Sequence, residues 1–184
     1  MKIIAGLYKG FSLKTFSGND IRPTPGKVRE ALFDILGFKV VEADFLDVFA
    51  GTGAIGIEAF SRGAKRVTFI DNNKKGIKII QDNLKKINKV DSYEILNIDF
   101  LKAIKNMDMQ NNKFDIIFLD PPYNKQYVEK SLLAFDETLL LKKDSLLIVQ
   151  HDIHEKAQIN LQNLFFVKEK KYGKSLLSIF KNQN

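Results

Sequence analysis

The sequence predicts an α/β fold in which an antiparallel hairpin completes a mostly parallel sheet. Between residues 45 and 150, short apolar strand patterns alternate with amphipathic helical patterns. From residue 165 onward, two strand patterns follow one another without a helix between them. Strands that are connected through helices run parallel, whereas strands that are connected by a tight turn pair antiparallel. A chain of 184 residues is long enough for one such domain with a small extension.

The N-terminal part of the chain is predicted to form that extension. Residues 2–7 and 12–16 have strand patterns on either side of the turn Tyr8-Lys9-Gly10, which predicts a β-hairpin. A loop and a helix are expected to lead from this hairpin into the sheet. We therefore divide the chain into an extension over residues 1–40 and a main domain over residues 41–184.

The apolar periodicity places the remaining elements in order. Thr24 can cap a helix that has Pro25 at its first position and apolar residues at 28, 32, 35 and 36. The strands of the main domain are predicted at residues 45–50, 66–70, 93–98, 114–119 and 145–150. Helices are predicted between them at residues 54–62, at 74–88, from about residue 100, and at 127–141. The last two of the seven strands are predicted at 165–167 and 175–180, and they are joined through Tyr172-Gly173-Lys174.

The tetrapeptide Asp120-Pro121-Pro122-Tyr123 follows the strand at 114–119 and is suited to hold a planar amino group. The carboxylate of Asp120 can accept one N–H. Because the prolines lack N–H donors, the neighbouring backbone carbonyls are free to accept a second. Tyr123 offers a flat face for stacking. A nucleobase with an exocyclic amino group fits these groups, which makes the four residues the candidate catalytic residues.

A second motif, Gly51-Thr52-Gly53-Ala54-Ile55-Gly56, connects the first predicted strand to a helix, an order that is typical of nucleotide sites. Gly51 and Gly53 permit a tight turn, and Gly56 permits close packing of the helix on the strand. Asp71 ends the next strand, 20 residues after Gly51. Its carboxylate could accept both hydroxyls of a ribose.

The glycine spacing alone leaves two ligands open, a nicotinamide dinucleotide and S-adenosylmethionine. Asp47 lies near the end of the first strand, where its charge would repel a pyrophosphate but attract an ammonium or sulfonium group. S-adenosylmethionine has both cations and no phosphate. Dinucleotide motifs also commonly open their domain, whereas 44 residues precede this strand. The sequence therefore favours S-adenosylmethionine.

Composition and charge narrow the class of protein. With 45% apolar residues, no cysteine and no apolar run near 18 residues, we expect a cytoplasmic protein without disulfides, a membrane span or a metal site. Residues 1–40 carry seven basic and three acidic side chains, residues 168–184 carry five and one, and the 127 residues between them carry 17 and 18. The concentration of positive charge at both ends indicates a surface that contacts nucleic-acid phosphates, and a generally lysine-rich composition is the alternative.

The whole chain resembles the bacterial small-subunit (16S) ribosomal RNA guanine-N2 methyltransferases of the RsmD type. The resemblance rests on Ile3-Ile4-Ala5-Gly6 with Lys9-Gly10, on residues 22–24 and 28–33, and on the two motifs above. It implies a Rossmann-like class I methyltransferase fold and methyl transfer from S-adenosylmethionine to the N2 amino group of a guanine. The implied substrate is 16S RNA in an assembled or partly assembled 30S subunit. The protein is expected to act as a monomer, without a metal ion and without binding a membrane.

The resemblance also implies roles for individual residues. Cofactor contacts are expected at Asp47, Phe49, Ala50, Gly51, Thr52, Gly53, Gly56, Asp71, Asn72, Asp99, Phe100 and Asp120, with Asp99 holding the adenine amino group. RNA contacts are expected at Lys2, Tyr8, Lys9, Lys14, Arg22 and Thr24. Four positions depart from the family pattern: Asp71 replaces a usual glutamate, Tyr123 a frequent phenylalanine, Phe11 a frequent arginine, and Gln150 an expected acid.

Three other functions stay open on the sequence alone. An adenine-N6 methyltransferase acting on DNA or RNA would use the same motifs, and analysis of the product nucleosides distinguishes it. An enzyme linked to NAD would bind nicotinamide cofactors and not S-adenosylmethionine. A non-catalytic RNA-binding assembly protein would bind RNA and transfer no methyl group.

Overall fold

A seven-stranded sheet forms the centre of the computed structural model, which describes residues 1–16, 26–87, 92–123 and 126–183. Its strands are β1 (Asp44–Val48), β2 (Arg66–Ile70), β3 (Tyr93–Leu96), β4 (Phe114–Leu119), β5 (Leu141–Asp152), β6 (Leu164–Tyr172) and β7 (Ser175–Asn182). They lie in the order β3-β2-β1-β4-β5-β7-β6. The first five strands in this order run parallel to one another, and β7 runs antiparallel to both β5 and β6. The predicted mostly parallel sheet with a C-terminal antiparallel hairpin is confirmed.

Helices cover both faces of this sheet. They are α1 (Gly26–Leu36), α2 (Ala54–Ser61), α3 (Lys74–Ile87), α4 (Phe100–Met109) and α5 (Tyr127–Asp136), and a short 3-10 helix spans Gly37–Val40. Neighbouring residues of a strand point to opposite faces, so that Ile116 joins a core formed with α1, α2 and α3, while Ile117 joins a core formed with α4 and α5. Burial on both faces explains why the parallel strands read as almost continuous apolar runs.

Several element boundaries differ from the prediction; β5, for example, spans Leu141–Asp152 and not 145–150. Helix α5 ends at Asp136 and not at residue 141, because the N–H and hydroxyl groups of Thr138 both donate to the Phe135 carbonyl and close the last turn. Strand β6 continues through the charged residues to Tyr172, well beyond the predicted residues 165–167. Its side chains are exposed along the edge of the sheet, so that its apolar pattern is too short to mark its length.

The predicted N-terminal β-hairpin forms, but its ladder is shorter than the predicted strands at 2–7 and 12–16. An isolated antiparallel bridge joins Lys2 to Ser12, the N–H of Ile3 donates to the Phe11 carbonyl at 3.0 Å, and the N–H of Leu13 donates to the Met1 carbonyl at 2.7 Å. The backbone N–H groups of Ile4 and Ala5 donate to the carboxylate of Glu58 on α2, at 2.9 and 3.0 Å. These donors are thus satisfied by a helix side chain and not by a partner strand. The loop predicted at residues 17–20, and Thr24 and Pro25 at the start of the helix, lie outside the described residues.

The N-terminal segment packs against the same core as the sheet. Ile3 and Leu13 are buried in one cluster with Phe45 of β1 and Leu32 of α1. The proposed boundary at residue 40 stays a prediction. Among the helices described, none is long and apolar enough to cross a membrane.

Candidate functional site

A cavity of about 480 Å³ opens at the carboxyl ends of β1, β2 and β4. In this sheet the chain proceeds outward from β1 in one direction and from β4 in the other, and ligands of doubly wound folds bind at such a reversal. The predicted site residues that line the cavity are Asp47, Phe49, Ala50, Gly51, Thr52, Asp71, Asn72, Asp99, Phe100, Asp120, Pro121, Pro122 and Tyr123.

Some residues of the cavity wall were not predicted from the sequence. They are Met1, Phe16, Ala54, Ile55, Ile70, Asn73, Ile98, Phe118 and Tyr127. Met1 and Phe16 come from the N-terminal segment, and no local pattern shows that it folds over the strand ends. Tyr127 could have been predicted as a site residue, because it is an aromatic residue at the start of a helix, four residues after Tyr123. Gly53 and Gly56 were predicted as cofactor contacts but do not line the cavity.

The loop between β1 and α2 turns through three residues with left-handed backbone conformations. These are Phe49 (φ 61°), Gly51 (φ 56°) and Gly53 (φ 73°). For an aromatic residue this conformation is strained, and it persists only where the surroundings fix it. The ring of Phe49 lies 4.9 Å from that of Phe100 and 6.0 Å from that of Tyr127, centre to centre. The strained residue thereby places an aromatic wall along the cavity.

Asp71 fixes the same loop from β2. One carboxylate oxygen accepts the N–H of Gly51 at 2.7 Å, and the other accepts the N–H of Asn73, also at 2.7 Å. A carboxylate oxygen can accept more than one hydrogen bond. Asp71 therefore shapes the loop and retains acceptor capacity at the cavity surface.

Asp47 is a buried acid behind the loop. Its carboxyl group is 1% exposed and accepts the N–H of Gly56 at 2.9 Å. Burial raises the pKa of Asp47 from its ordinary 3.8 to about 8, the charges of Asp120 and Asp71 raise it as well, and the Gly56 hydrogen bond opposes the rise. The close approach of α2 depends on glycine at position 56, because a Cβ there would lie 2.3 Å from the Phe69 ring.

Asp99 marks the start of α4 beside the aromatic wall. Its Oδ1 atom caps the helix by accepting the N–H groups of Leu101 and Lys102, at 3.0 and 3.4 Å. The cap uses one carboxylate oxygen. The second oxygen can face a ligand in the cavity that Asp99 lines.

The residues after β4 form the outer part of the cavity. The N–H of Asp120 donates to the Val48 carbonyl at 3.3 Å, which holds the start of the motif against β1. Pro121 and Pro122 continue along the cavity wall. The ring of Tyr123 is 37% exposed, and its hydroxyl accepts a hydrogen bond from the side-chain amide of Gln150 at 3.2 Å. This arrangement combines a carboxylate, the backbone carbonyls of two prolines and an aromatic face at one opening.

The predicted RNA contacts that the structure describes do not line this cavity. Lys2, Tyr8, Lys9 and Lys14 belong to the N-terminal segment, where Lys14 pairs with Asp82 at 3.0 Å. Arg22 and Thr24 lie outside the described residues. No cluster of side chains suited to bind a metal ion occurs within the ranges that the structure describes.

A second groove, of about 450 Å³, lies between α1 and β6. Lys27, Lys168, Lys170 and Tyr172 line it together with the acids Glu30 and Asp34. The sequence showed the positive charge of the C-terminal segment but not that it faces α1.

We predict that Asp47→Asn makes the free energy of unfolding less dependent on pH. In the folded protein the Asp47 carboxyl keeps its proton up to its pKa of about 8, whereas the unfolded chain releases it near 3.8. Between these values the folded state binds more protons, so that this stabilisation is present at low pH and is lost as the pH rises toward 8. Asparagine removes the titration and can still accept the Gly56 N–H.

The variant should therefore gain stability relative to the wild type as the pH rises from 5 to 8, by at most about 1.4 kcal/mol per pH unit. Urea unfolding at several pH values measures this difference, and the exposed Asp34→Asn gives the baseline. A difference that stays constant over this range would contradict the raised pKa.

Comparison with known proteins identifies the family. The family model described as Conserved hypothetical protein 95 matches residues 1–181. The chain is 33% identical over 183 residues to the Putative rRNA methyltransferase YlbH of Bacillus subtilis, with 100% of both proteins covered. It is 33% identical to the Ribosomal RNA small subunit methyltransferase D of Haemophilus influenzae, covering 99% of the chain and 94% of that protein. The solved structure of the putative methyltransferase yhhF from Escherichia coli is similar to this chain, with a TM-score of 0.86 and 26% sequence identity. The match covers 100% of this chain and 98% of the Escherichia coli chain. The chain therefore belongs to the Conserved hypothetical protein 95 family, the RsmD-type methyltransferases that its sequence resembles.

Proposed function

We propose that this protein transfers a methyl group from S-adenosylmethionine to the exocyclic N2 amino group of a guanine in small-subunit ribosomal RNA. The observation that carries the proposal is that Asp120-Pro121-Pro122-Tyr123 lines the same cavity as the glycine loop and Asp71. The residues proposed to hold the amino group therefore line the same cavity as the residues proposed to bind a nucleoside. The names of the relatives support ribosomal RNA as the substrate, and the RsmD resemblance supports guanine N2.

The residues of the cavity fit S-adenosylmethionine. Asp71 retains acceptor capacity for the hydroxyls of a ribose, although both its oxygens already hold backbone N–H groups. The second oxygen of Asp99 fits the amino group of an adenine, and the aromatic wall of Phe49 and Phe100 offers an apolar surface beside it. The buried acid Asp47 fits a cationic ligand, because a positive charge nearby favours the carboxylate form and compensates the charges that crowd the site. A pyrophosphate would meet three acids here.

The residues after β4 would assist attack by the amino group. When bound, S-adenosylmethionine supplies a methyl group on a positively charged sulfur. The lone pair of a guanine amino group is delocalised into the ring, and hydrogen bonds to the Asp120 carboxylate and the Pro121 carbonyl favour the pyramidal geometry that attack requires. The same bonds offset the positive charge that develops on nitrogen. Tyr123 stacks on the base and returns part of the cost of flipping it out of a helix.

The basic surface outside the cavity would hold the RNA backbone. The N-terminal segment is tied to α2 through Glu58 and Ser61, and Met1 reaches the cavity wall. The turn of the β6–β7 hairpin lies beyond the end of β5, because Ser175 pairs with both Asp152 and Tyr172. The ends of the N-terminal segment, at Met1 and Phe16, and the turn of the β6–β7 hairpin therefore border the edge of the sheet where the cavity opens. The turn of the N-terminal segment, at Leu7 and Tyr8, lies instead beside Ser61 at the end of α2. Two short charged segments offer few contacts for ordering a flexible RNA, which favours an assembled or partly assembled 30S subunit as substrate.

Mass spectrometry of ribosomal RNA nucleosides tests the proposed reaction. Purified protein with labelled S-adenosylmethionine should produce N2-methylguanosine in small-subunit RNA, and more of it in assembled particles than in protein-free RNA. N6-methyladenosine as the product would instead establish the adenine-N6 alternative. RNA binding without any methyl transfer would establish an assembly protein.

We predict that Asp71→Ala weakens binding of S-adenosylmethionine. The change removes the acceptor for the ribose and also releases the N–H groups of Gly51 and Asn73, which shape the loop. The expected loss is about 1.5 to 3 kcal/mol, as for hydrogen bonds to a charged group. Isothermal titration calorimetry measures it, and the exposed Asp34→Ala should bind as the wild type does. Unchanged affinity in a folded variant would remove Asp71 from the cofactor site.

We predict a different result for Asp120→Ala. This carboxylate contacts the amino group whose charge changes during the reaction, so that its removal should lower the single-turnover rate by about two orders of magnitude or more. Affinity for S-adenosylmethionine should stay close to that of the wild type, which separates Asp120 from Asp71. A rate near that of the wild type would exclude the proposed role.

We predict that alanine at Lys2, Lys168 and Lys170 flattens the salt dependence of RNA binding. Each phosphate contact that is lost should reduce the log-log slope by roughly 0.7 to 0.9. Point variants are preferable to a deletion of residues 1–16, because Ile3 and Leu13 belong to the core. The matched control replaces Lys65, Lys85 and Lys86, which are exposed at the opposite edge of the sheet. Equal effects of the two triple variants, measured by filter binding over a range of salt concentrations, would refute this interface.

A further inference from the structure

Gln150 lies next to the proposed catalytic motif, on β5. The last paired residues of β4 and β5 are Leu119 and Val149, and the next residues along these two parallel strands are Asp120 and Gln150. Gln150 is only 1% exposed and does not line the cavity. Its Nε2 atom donates to the hydroxyl of Tyr123 at 3.2 Å. The side chain thus reaches the site through another residue.

The other end of the same amide has no hydrogen-bond partner. The Oε1 atom of Gln150 is buried and unpaired among the described residues. Rotation of the amide by 180° would exchange donor and acceptor and leave the same number of hydrogen bonds. A buried polar atom without a partner costs free energy, which an apolar side chain of similar volume would avoid. Stability of the fold therefore does not explain a glutamine at this position.

The ring of Tyr123 needs such a partner if it is to stack in one orientation. It is partly exposed at the mouth of the cavity, and its hydroxyl is held by the Gln150 amide. A ring that is already fixed loses less conformational freedom when a base stacks on it. The free-energy cost of the unpaired Oε1 atom would then be compensated by easier stacking of the base on Tyr123, and not by stability of the folded state.

We propose that Gln150 is a positioning residue that holds the ring of Tyr123 in the orientation needed to stack on the target base. The role rests on the proposed methyl transfer, because it assigns Tyr123 a base to stack on. It deepens that function by giving the Tyr123 hydroxyl a task that phenylalanine cannot perform.

The test is a double-mutant cycle with Gln150→Met and Tyr123→Phe. Each single variant should lower kcat at saturating RNA by about three- to tenfold, the effect of one neutral hydrogen bond. The double variant should be no slower than either single variant, because both changes remove the same bond. Affinity for S-adenosylmethionine should not change, and the Tm of Gln150→Met should equal or exceed that of the wild type.

Ser145→Ala is the matched control. Ser145 is also buried on β5 with an unpaired hydroxyl, but it lies at the far end of the strand from the site. Its replacement should leave kcat unchanged, which separates the effect of position from the effect of removing a buried polar atom.

Two outcomes would overturn the role of Gln150. One is a lowered Tm with an unchanged kcat in Gln150→Met, which would make it a structural residue. The other is a pair of losses that multiply in the double variant, which would mean that the two side chains act independently. Absence of methyl transfer by the wild type would instead overturn the proposed function and this role with it.

Discussion

The site depends on the hydrogen bond that the buried carboxyl group of Asp47 accepts from the Gly56 N–H. This bond ties the end of β1 to the first turns of α2, so that the connecting loop has to turn within a few residues. The loop meets this constraint through left-handed backbone at Phe49, Gly51 and Gly53. Asp71 then holds the loop from β2. The shape of the cavity thus follows from two acids, Asp47 on β1 and Asp71 just after β2.

A second buried acid organises the N-terminal segment. Glu58 is fully buried on α2, accepts the N–H groups of Ile4 and Ala5, and pairs with Arg62 at 2.9 Å. Arg29 lies 3.7 Å from the same carboxylate. Burial lowers the pKa of Arg29, and the charge of Glu58 opposes this change. Because breaking a buried pair leaves an uncompensated charge, the segment is held firmly over the helices, where it can contribute Met1 to the cavity wall.

The sequence predicted the sheet and most of the cavity lining because both depend on local patterns. Apolar runs mark strands that are buried on both faces, and parallel strands bring Asp71 and Asp120 to one edge wherever the connecting chain goes. The strands of the N-terminal hairpin were predicted too long because the backbone donors of Ile4 and Ala5 pair with Glu58, more than fifty residues away. The edge strand β6 was predicted too short because pairing with β7, and not burial, determines its length. The hydrogen bond between Tyr123 and Gln150 likewise depends on strand register, which no local pattern encodes.

In the proposed function, the opposite charges of the cavity and of the surface would act on different parts of a nucleic acid. Asp47, Asp71 and Asp120 crowd the cavity closely enough that the last two raise the pKa of the first. A phosphate that entered would meet these acids, whereas a flipped base is neutral and presents N–H groups that acids accept. Lys2, Lys168 and Lys170 lie outside the cavity and would attract the backbone in the proposed function. Phosphate contacts position a nucleic acid and base contacts specify it. In the proposed function the fold would separate these two tasks in space, because the lysines proposed to contact the backbone lie apart from Asp120, which is proposed to contact the base.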